Sequence, residues 1–153
     1  MPRLHSVDDR LTDSPPGMGR IRIVLANDHP GLRRTLRYLL EHADDLDVVA
    51  EVSDFDAALH EVEVEHPDVL VLDLRMPDGF SAERIERLRT LSPVTEIVGT
   101  TMHVNEAFAT EALRAGALGF VVSDSADGEL VEAVHRAVRG LSYTSPQVRR
   151  RAA

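Results

Sequence analysis

Asp73 ends the apolar run Val69-Leu70-Val71-Leu72 and is followed by Leu74-Arg75-Met76-Pro77. Four apolar residues closing on one carboxylate read as a buried parallel strand that delivers an acid to the carboxyl edge of a sheet. Ligands collect at that edge in open α/β folds. Two further segments end in the same manner: Ile21 to Ala26 runs into Asn27-Asp28, and Ile97 to Thr100 runs into Thr101. A lone Asp at a strand end is ordinarily a turn or capping residue. Its repetition with an amide and a hydroxyl across three strand ends favours a built site instead. Two neighbouring carboxylates can hold Mg2+, a hard cation that takes oxygen ligands and keeps several waters. A carboxylate can also act as a nucleophile and form an aspartyl-phosphate, and the Thr101 hydroxyl could bond a phosphoryl oxygen.

The pattern around these residues predicts the elements that would hold them. Strands are expected over 21–26, 48–50, 68–72, 96–100 and 118–122. Between them, Pro30 suits the first turn of a helix, with Leu32, Leu36, Leu39 and Leu40 on one face. Asp54 can cap a second helix with Phe55, Ala58, Leu59 and Val62 inward, and Ser81 a third with Ile85, Leu88 and Leu91 inward. A fourth helix is expected over 104–115, closed by Gly116. A fifth is expected over 126–139 on Leu130, Val131, Val134, Ala137 and Val138, stopped by Gly140. Strict alternation of this kind implies βαβ units and an α/β fold, a doubly wound (βα)5 parallel sheet. Strand order 2-1-3-4-5 sets the ends of strands one and three side by side at the switch point, where Asp28 and Asp73 would meet.

Length and composition limit what this site can serve. The chain of 153 residues, 43% hydrophobic, is one ordinary domain with a real core. Residues 1–19, with Pro15-Pro16-Gly17 and scattered charge, read as a disordered tail, 20–140 as the domain, and 141–153 as the start of a linker or a C-terminal tail. No apolar run reaches the length of a membrane span, and the acidic N-terminus lacks a secretory h-region. With no cysteine, disulfides, zinc thiolates and thiol catalysis are excluded. The net charge of −9 argues against nucleic-acid binding by the general surface field, and Arg149-Arg150-Arg151 reads as a solvated run. The seven histidines, His29 and His103 among them, show no transition-metal spacing. There is no glycine-rich nucleotide loop.

Residues 20–140 resemble the receiver domain of bacterial two-component response regulators, of the NarL/FixJ (LuxR-type) subfamily. The strings that carry the resemblance are Ala26-Asn27-Asp28-His29-Pro30, Val69 through Pro77, Thr101-Met102-His103 and Ala115-Gly116-Ala117-Leu118-Gly119-Phe120. The resemblance implies a flavodoxin- and chemotaxis-receiver-like fold, with Asp73 as phospho-acceptor and Mg2+ as cofactor. The metal ligands would be Asp28, Asp73 and the backbone carbonyl of Arg75, with Asn27 acting through a water. Thr101 would be the switch hydroxyl and Phe120 the aromatic residue that follows it. It further implies a cytoplasmic, non-enzymatic signalling module. Its partner is a sensor histidine kinase, with at most a weak homodimer. DNA is reached only through an output domain that this chain lacks, and no membrane is involved. The segment Ser142 to Val148 resembles the start of the linker to such a domain, which favours a receiver cut from a longer protein over a natural single-domain one.

Departures from the family pattern set the alternatives. The family places two acids after the first strand, and here the first is Asn27. It places a Lys after the fifth strand, and here Ser123 replaces it, giving Val121-Val122-Ser123-Asp124. A Lys can neutralise a phosphoryl oxygen, whereas a serine offers only a neutral hydroxyl. Gly79 is displaced from its usual place, which Ser81 takes. Arg75 and His103 stand where flanking side chains tune hydrolysis. The leading expectation is a phospho-receiver. The alternative is a pseudo-receiver of the same fold that acts as an interaction or dimerisation module without phosphorylation. A phosphatase would require an acid two residues past Asp73, where Arg75 stands.

Overall fold

Alternating apolar strands and amphipathic helices can bury both faces of a sheet only if helices cover both faces, and the chain folds in that way. The structure, a computed structural model, describes residues 19–76, 81–102, 106–123, 128–146 and 148. In chain order the elements are β1 (Ile21–Ala26), α1 (Pro30–Glu41), β2 (Leu46–Val52), α2 (Phe55–Glu65), β3 (Val69–Asp73) and α3 (Ala82–Leu91). They continue with β4 (Glu96–Thr101), α4 (Glu106–Ala115), β5 (Gly119–Val122), α5 (Glu129–Val138) and β6 (Tyr143–Thr144). One parallel sheet runs in the order β2-β1-β3-β4-β5-β6. The α/β, doubly wound order expected for the first five strands is present.

Alternate residues of each strand feed two cores. Val24, Leu70, Leu72, Ile97 and Phe120 pack with Phe55, Ala58, Val62, Ile85 and Leu88 on the face covered by α2, α3 and α4. Ile23, Leu25, Val69, Val71, Val98 and Val121 pack with Leu36, Leu40, Leu130 and Val134 on the face covered by α1 and α5. Every residue of β3 is buried, as a central parallel strand requires. Each fully buried Val or Leu contributes about 1.5–3 kcal/mol, so the strand that carries Asp73 is anchored from both faces.

Caps fix the helix ends. Pro30 opens α1. The Asp54 carboxylate accepts from Ala57 N–H at 2.8 Å, and the Ser81 hydroxyl accepts from Arg84 N–H at 3.1 Å. At the end of α4, Gly116 has φ +123°. Its N–H donates to Leu113 O and that of Ala117 to Ala112 O, the paired bonds that close a helix through a glycine.

Some boundaries differ from expectation. β2 extends from Leu46 to Val52 rather than 48–50, because pairing with β1 through Leu46 and Val52 recruits residues whose own pattern is not apolar. Residues 143–144, expected in a linker or tail, form a sixth strand on β5. Val138, expected inward on α5, is 39% exposed. The expected tail up to residue 18 and the expected helix starts at 104–105 and 126–127 lie outside the described residues. Among the described residues, no helix is long and apolar enough to cross a membrane.

Candidate functional site

Strand register brings the chemistry-bearing residues to one edge. Ala26 is paired with Leu72, so Asn27 and Asp28 emerge beside Asp73. On its other side Asp73 is paired with Thr100, and Thr101 is paired with Val122, the residue before Ser123. Four neighbouring strands, β1, β3, β4 and β5, therefore present their ends together.

Asp73 is only 6% exposed. One oxygen, Oδ1, accepts from the Arg75 main-chain N–H at 2.9 Å, a local turn in which the carboxylate orients itself on its own loop. Burial pushes the Asp73 carboxyl above the usual carboxylate range. The nearby Asp28 charge and a hydrogen bond with Asp28 add to the rise, while the Arg75 N–H and His29 oppose it. Two carboxyl groups held this close cannot both ionise without cost.

Asn27 is almost fully buried and held from three directions. Its Oδ1 accepts from His29 N–H at 2.8 Å, its main-chain N–H donates to Val52 O at 3.0 Å, and its carbonyl accepts from Arg33 Nη1 at 2.6 Å. The bond to His29 fixes the amide, so Nδ2 is the group left over. It has no protein partner, and neither do Asp28 Oδ1, Thr100 Oγ1, Thr101 Oγ1 and Ser123 Oγ. Buried polar atoms are normally paired. Among the described residues every buried side-chain atom without a partner belongs to this one edge. An open cleft of about 170 Å³ lies over Asp73, lined also by His29, Arg75 and Met102.

The donor set fits a hard dication: two carboxyls, one with an unpartnered buried oxygen, and no soft ligand. Asp28 and Asp73 are the side chains that would hold it. Among the described residues no group of three or more His, Cys, Asp or Glu that could hold a metal ion is gathered.

Around this centre, Phe120 is fully buried among Leu74, Met76, Ala109 and Ala117. Ser123 is also buried. Arg75 is exposed. The sequence contains 17 arginines and no lysine. His29, which its sequence position suggested only as part of the start of α1, lines the cleft. Nothing in the spacing marked it beyond its place next to Asp28. His103, Pro77, Gly79 and Asp124 lie outside the described residues.

Known proteins resemble this chain over most of its length. The family model of the response regulator receiver domain matches residues 23–135. The oxygen regulatory protein NreC of Staphylococcus carnosus is 33% identical over 129 residues, which are 84% of this chain and 59% of NreC. A LuxR-family two-component response regulator from Aurantimonas superposes with a TM-score of 0.80 at 34% identity, covering 86% of this chain and 94% of that one. The signal receiver domain of the putative response regulator NarL from Mycobacterium tuberculosis gives 0.73 at 33% identity, covering 79% and 98%. The chain spans about three fifths of the length of the curated relatives it matches.

Proposed function

This chain belongs to the response regulator receiver domain family, on its NarL/LuxR-type branch, and from that footing we propose that it is a phospho-receiver with Asp73 as the acceptor. The observation that carries the reading is the Asp28–Asp73 carboxyl pair at the switch point, with unpartnered polar atoms ranged around it.

In the proposed reaction an Asp73 oxygen attacks the phosphorus of a phosphohistidine on a sensor histidine kinase. The O–P bond forms as the N–P bond breaks, and the imidazole leaves with the bonding electron pair. The Arg75 N–H, bonded to Oδ1, orients the carboxylate. In this reading the Thr101 hydroxyl, unpartnered in the structure, turns toward a phosphoryl oxygen and the buried Phe120 follows it. Asp28 and Asp73, with the Arg75 carbonyl and Asn27 through a water, would hold Mg2+, which when bound neutralises charge on the phosphoryl oxygens. The kinase partner, a cytoplasmic setting and a transcriptional output outside this chain belong to the same proposal.

Intact-mass measurement after incubation with acetyl phosphate and Mg2+ tests it. One added phosphate, lost in Asp73→Asn, is expected. No uptake would turn the assignment to the second reading, a pseudo-receiver. That reading is favoured by one observation, the buried neutral Ser123 in a chain without lysine.

A further inference from the structure

After α5 the chain turns back along the outer edge of β5 instead of leaving the domain. Arg136 Nε–H donates to Ser142 O at 2.7 Å. Tyr143 N–H donates to Leu118 O and Ser145 N–H to Phe120 O, both at 2.9 Å. At the next rung a side chain takes the place of a strand carbonyl: Val122 N–H donates to Ser145 Oγ at 2.9 Å. The same hydroxyl donates its proton to Glu129 Oε1, in the first turn of α5, at 2.5 Å. Ser145 is fully buried, and Val148 behind it is only 4% exposed. Val148 lies in the same core as Phe120 and donates its N–H to Ser145 O at 3.0 Å.

One hydroxyl thus joins three elements: β5, α5 and the returning segment. It acts as donor and acceptor at once, and its bond to a carboxylate is of the short, charge-assisted kind. Val122, its partner on β5, immediately precedes Ser123 and is paired with Thr101. The unpartnered hydroxyls of Thr101, at the end of β4, and of Ser123, just past β5, therefore depend on the strand position at which Ser145 holds Val122.

We propose that Ser145 is a positioning residue. Through Val122 it sets the end of β5, and with it Thr101 and Ser123, and the same bonds make residues 143–148 respond to what occupies the Asp73 site. The nature of that occupant rests on the phospho-receiver reading, whereas the coupling from Ser145 to the site does not. Coupling between two sites is reciprocal, so it can be read from either end.

The test is residue-resolved amide hydrogen exchange on the full chain, comparing Ser145→Ala, Ser145→Thr and Glu129→Gln with the parent. Each protein is measured with and without beryllium fluoride plus Mg2+. Ser145→Ala is expected to speed exchange at Val122, Ser123 and Thr101 by about tenfold or more, a local opening that leaves β1 and α1 protected. Ser145→Thr, which keeps the hydroxyl, should restore the parent pattern, and Glu129→Gln should give a smaller change in the same direction. On adding beryllium fluoride, protection in 143–148 should change with Thr101 in the parent, but Thr101 alone should change in Ser145→Ala. A change confined to 143–148, with Thr101 and Ser123 as in the parent, overturns the proposal. If Ser145→Ala does not fold, the Glu129→Gln pattern decides in the same terms. Should the parent bind no beryllium fluoride, the phospho-receiver reading fails, and the exchange of the variants without it still decides the coupling.

Discussion

At the residue scale, Asp73 and Asp28 set each other's behaviour. A folded-state carboxyl held above its ordinary range binds its proton more tightly in the native than in the unfolded chain. Stability linked to it is full below the ordinary carboxylate pKa and is lost as pH rises through the raised value. Asp73→Asn removes that loss, so the variant is expected to melt at a higher temperature than the parent at neutral pH. The gap should narrow on acidification and on adding Mg2+, and thermal melts across a pH series measure it. Asn27 leaves the site one carboxylate short of the family pattern. Asn27→Asp should tighten Mg2+ binding by about tenfold, roughly 1.4 kcal/mol, and lower the melting temperature when Mg2+ is absent; a metal titration of both proteins checks this. Ser123→Lys would supply a charge-assisted contact worth on the order of 1.5–3 kcal/mol. It should enlarge the chemical-shift response of Thr101 and Phe120 to beryllium fluoride. The identities of these residues were legible because each ends an apolar strand. The cleft position of His29 was not, because it depends on where the loop after β1 runs in space.

At the scale of the elements, the caps carry testable energies. Ser81 opens α3 by bonding Arg84 N–H, on the side of the loop that follows Asp73. Ser81→Ala is expected to cost about 1 kcal/mol in chemical denaturation. Gly116, at φ +123°, closes α4 just before β5; a side chain there is strained by about 1–2 kcal/mol, and Gly116→Ala should lower the denaturation midpoint accordingly. The sequence patterns that predicted these features are local: a polar residue before an apolar helical face, and a glycine after one. β3 was legible for the same reason, being a continuous apolar run up to Asp73, and β1 and β4 were legible from the short apolar stretches inside them. The ends of β2 were not, because Asp47 and Glu51 belong to the strand only through pairing with β1. β6 was hidden further, since Ser142-Tyr143-Thr144-Ser145 has the composition of a turn. Its strand character comes from the vacant rung on β5 and from a serine hydroxyl completing it.

For the whole molecule, helices on both faces leave the outer sides of α1 and α5 as surfaces open to a partner. Arg34 and Glu132 are exposed there. Arg37, however, is engaged with Glu41 and Glu51, and Arg136 is turned onto Ser142. With much of that charge spent within the chain and few large apolar side chains exposed among the described residues, a homodimer should be weak. Sedimentation is expected to give a monomer at nanomolar concentration, with association only at much higher concentrations. The returning segment bears on a different property, solubility. β5 is a fully buried run of Gly119, Phe120, Val121 and Val122, and β6 with Ser145 occupies its outer hydrogen-bonding edge. A chain ending at Gly140 would expose that edge as an apolar, uncharged template of the sort that recruits strands from other molecules. Such a chain is expected to scatter light and bind thioflavin on gentle warming, under conditions in which the chain carried through Val148 stays clear.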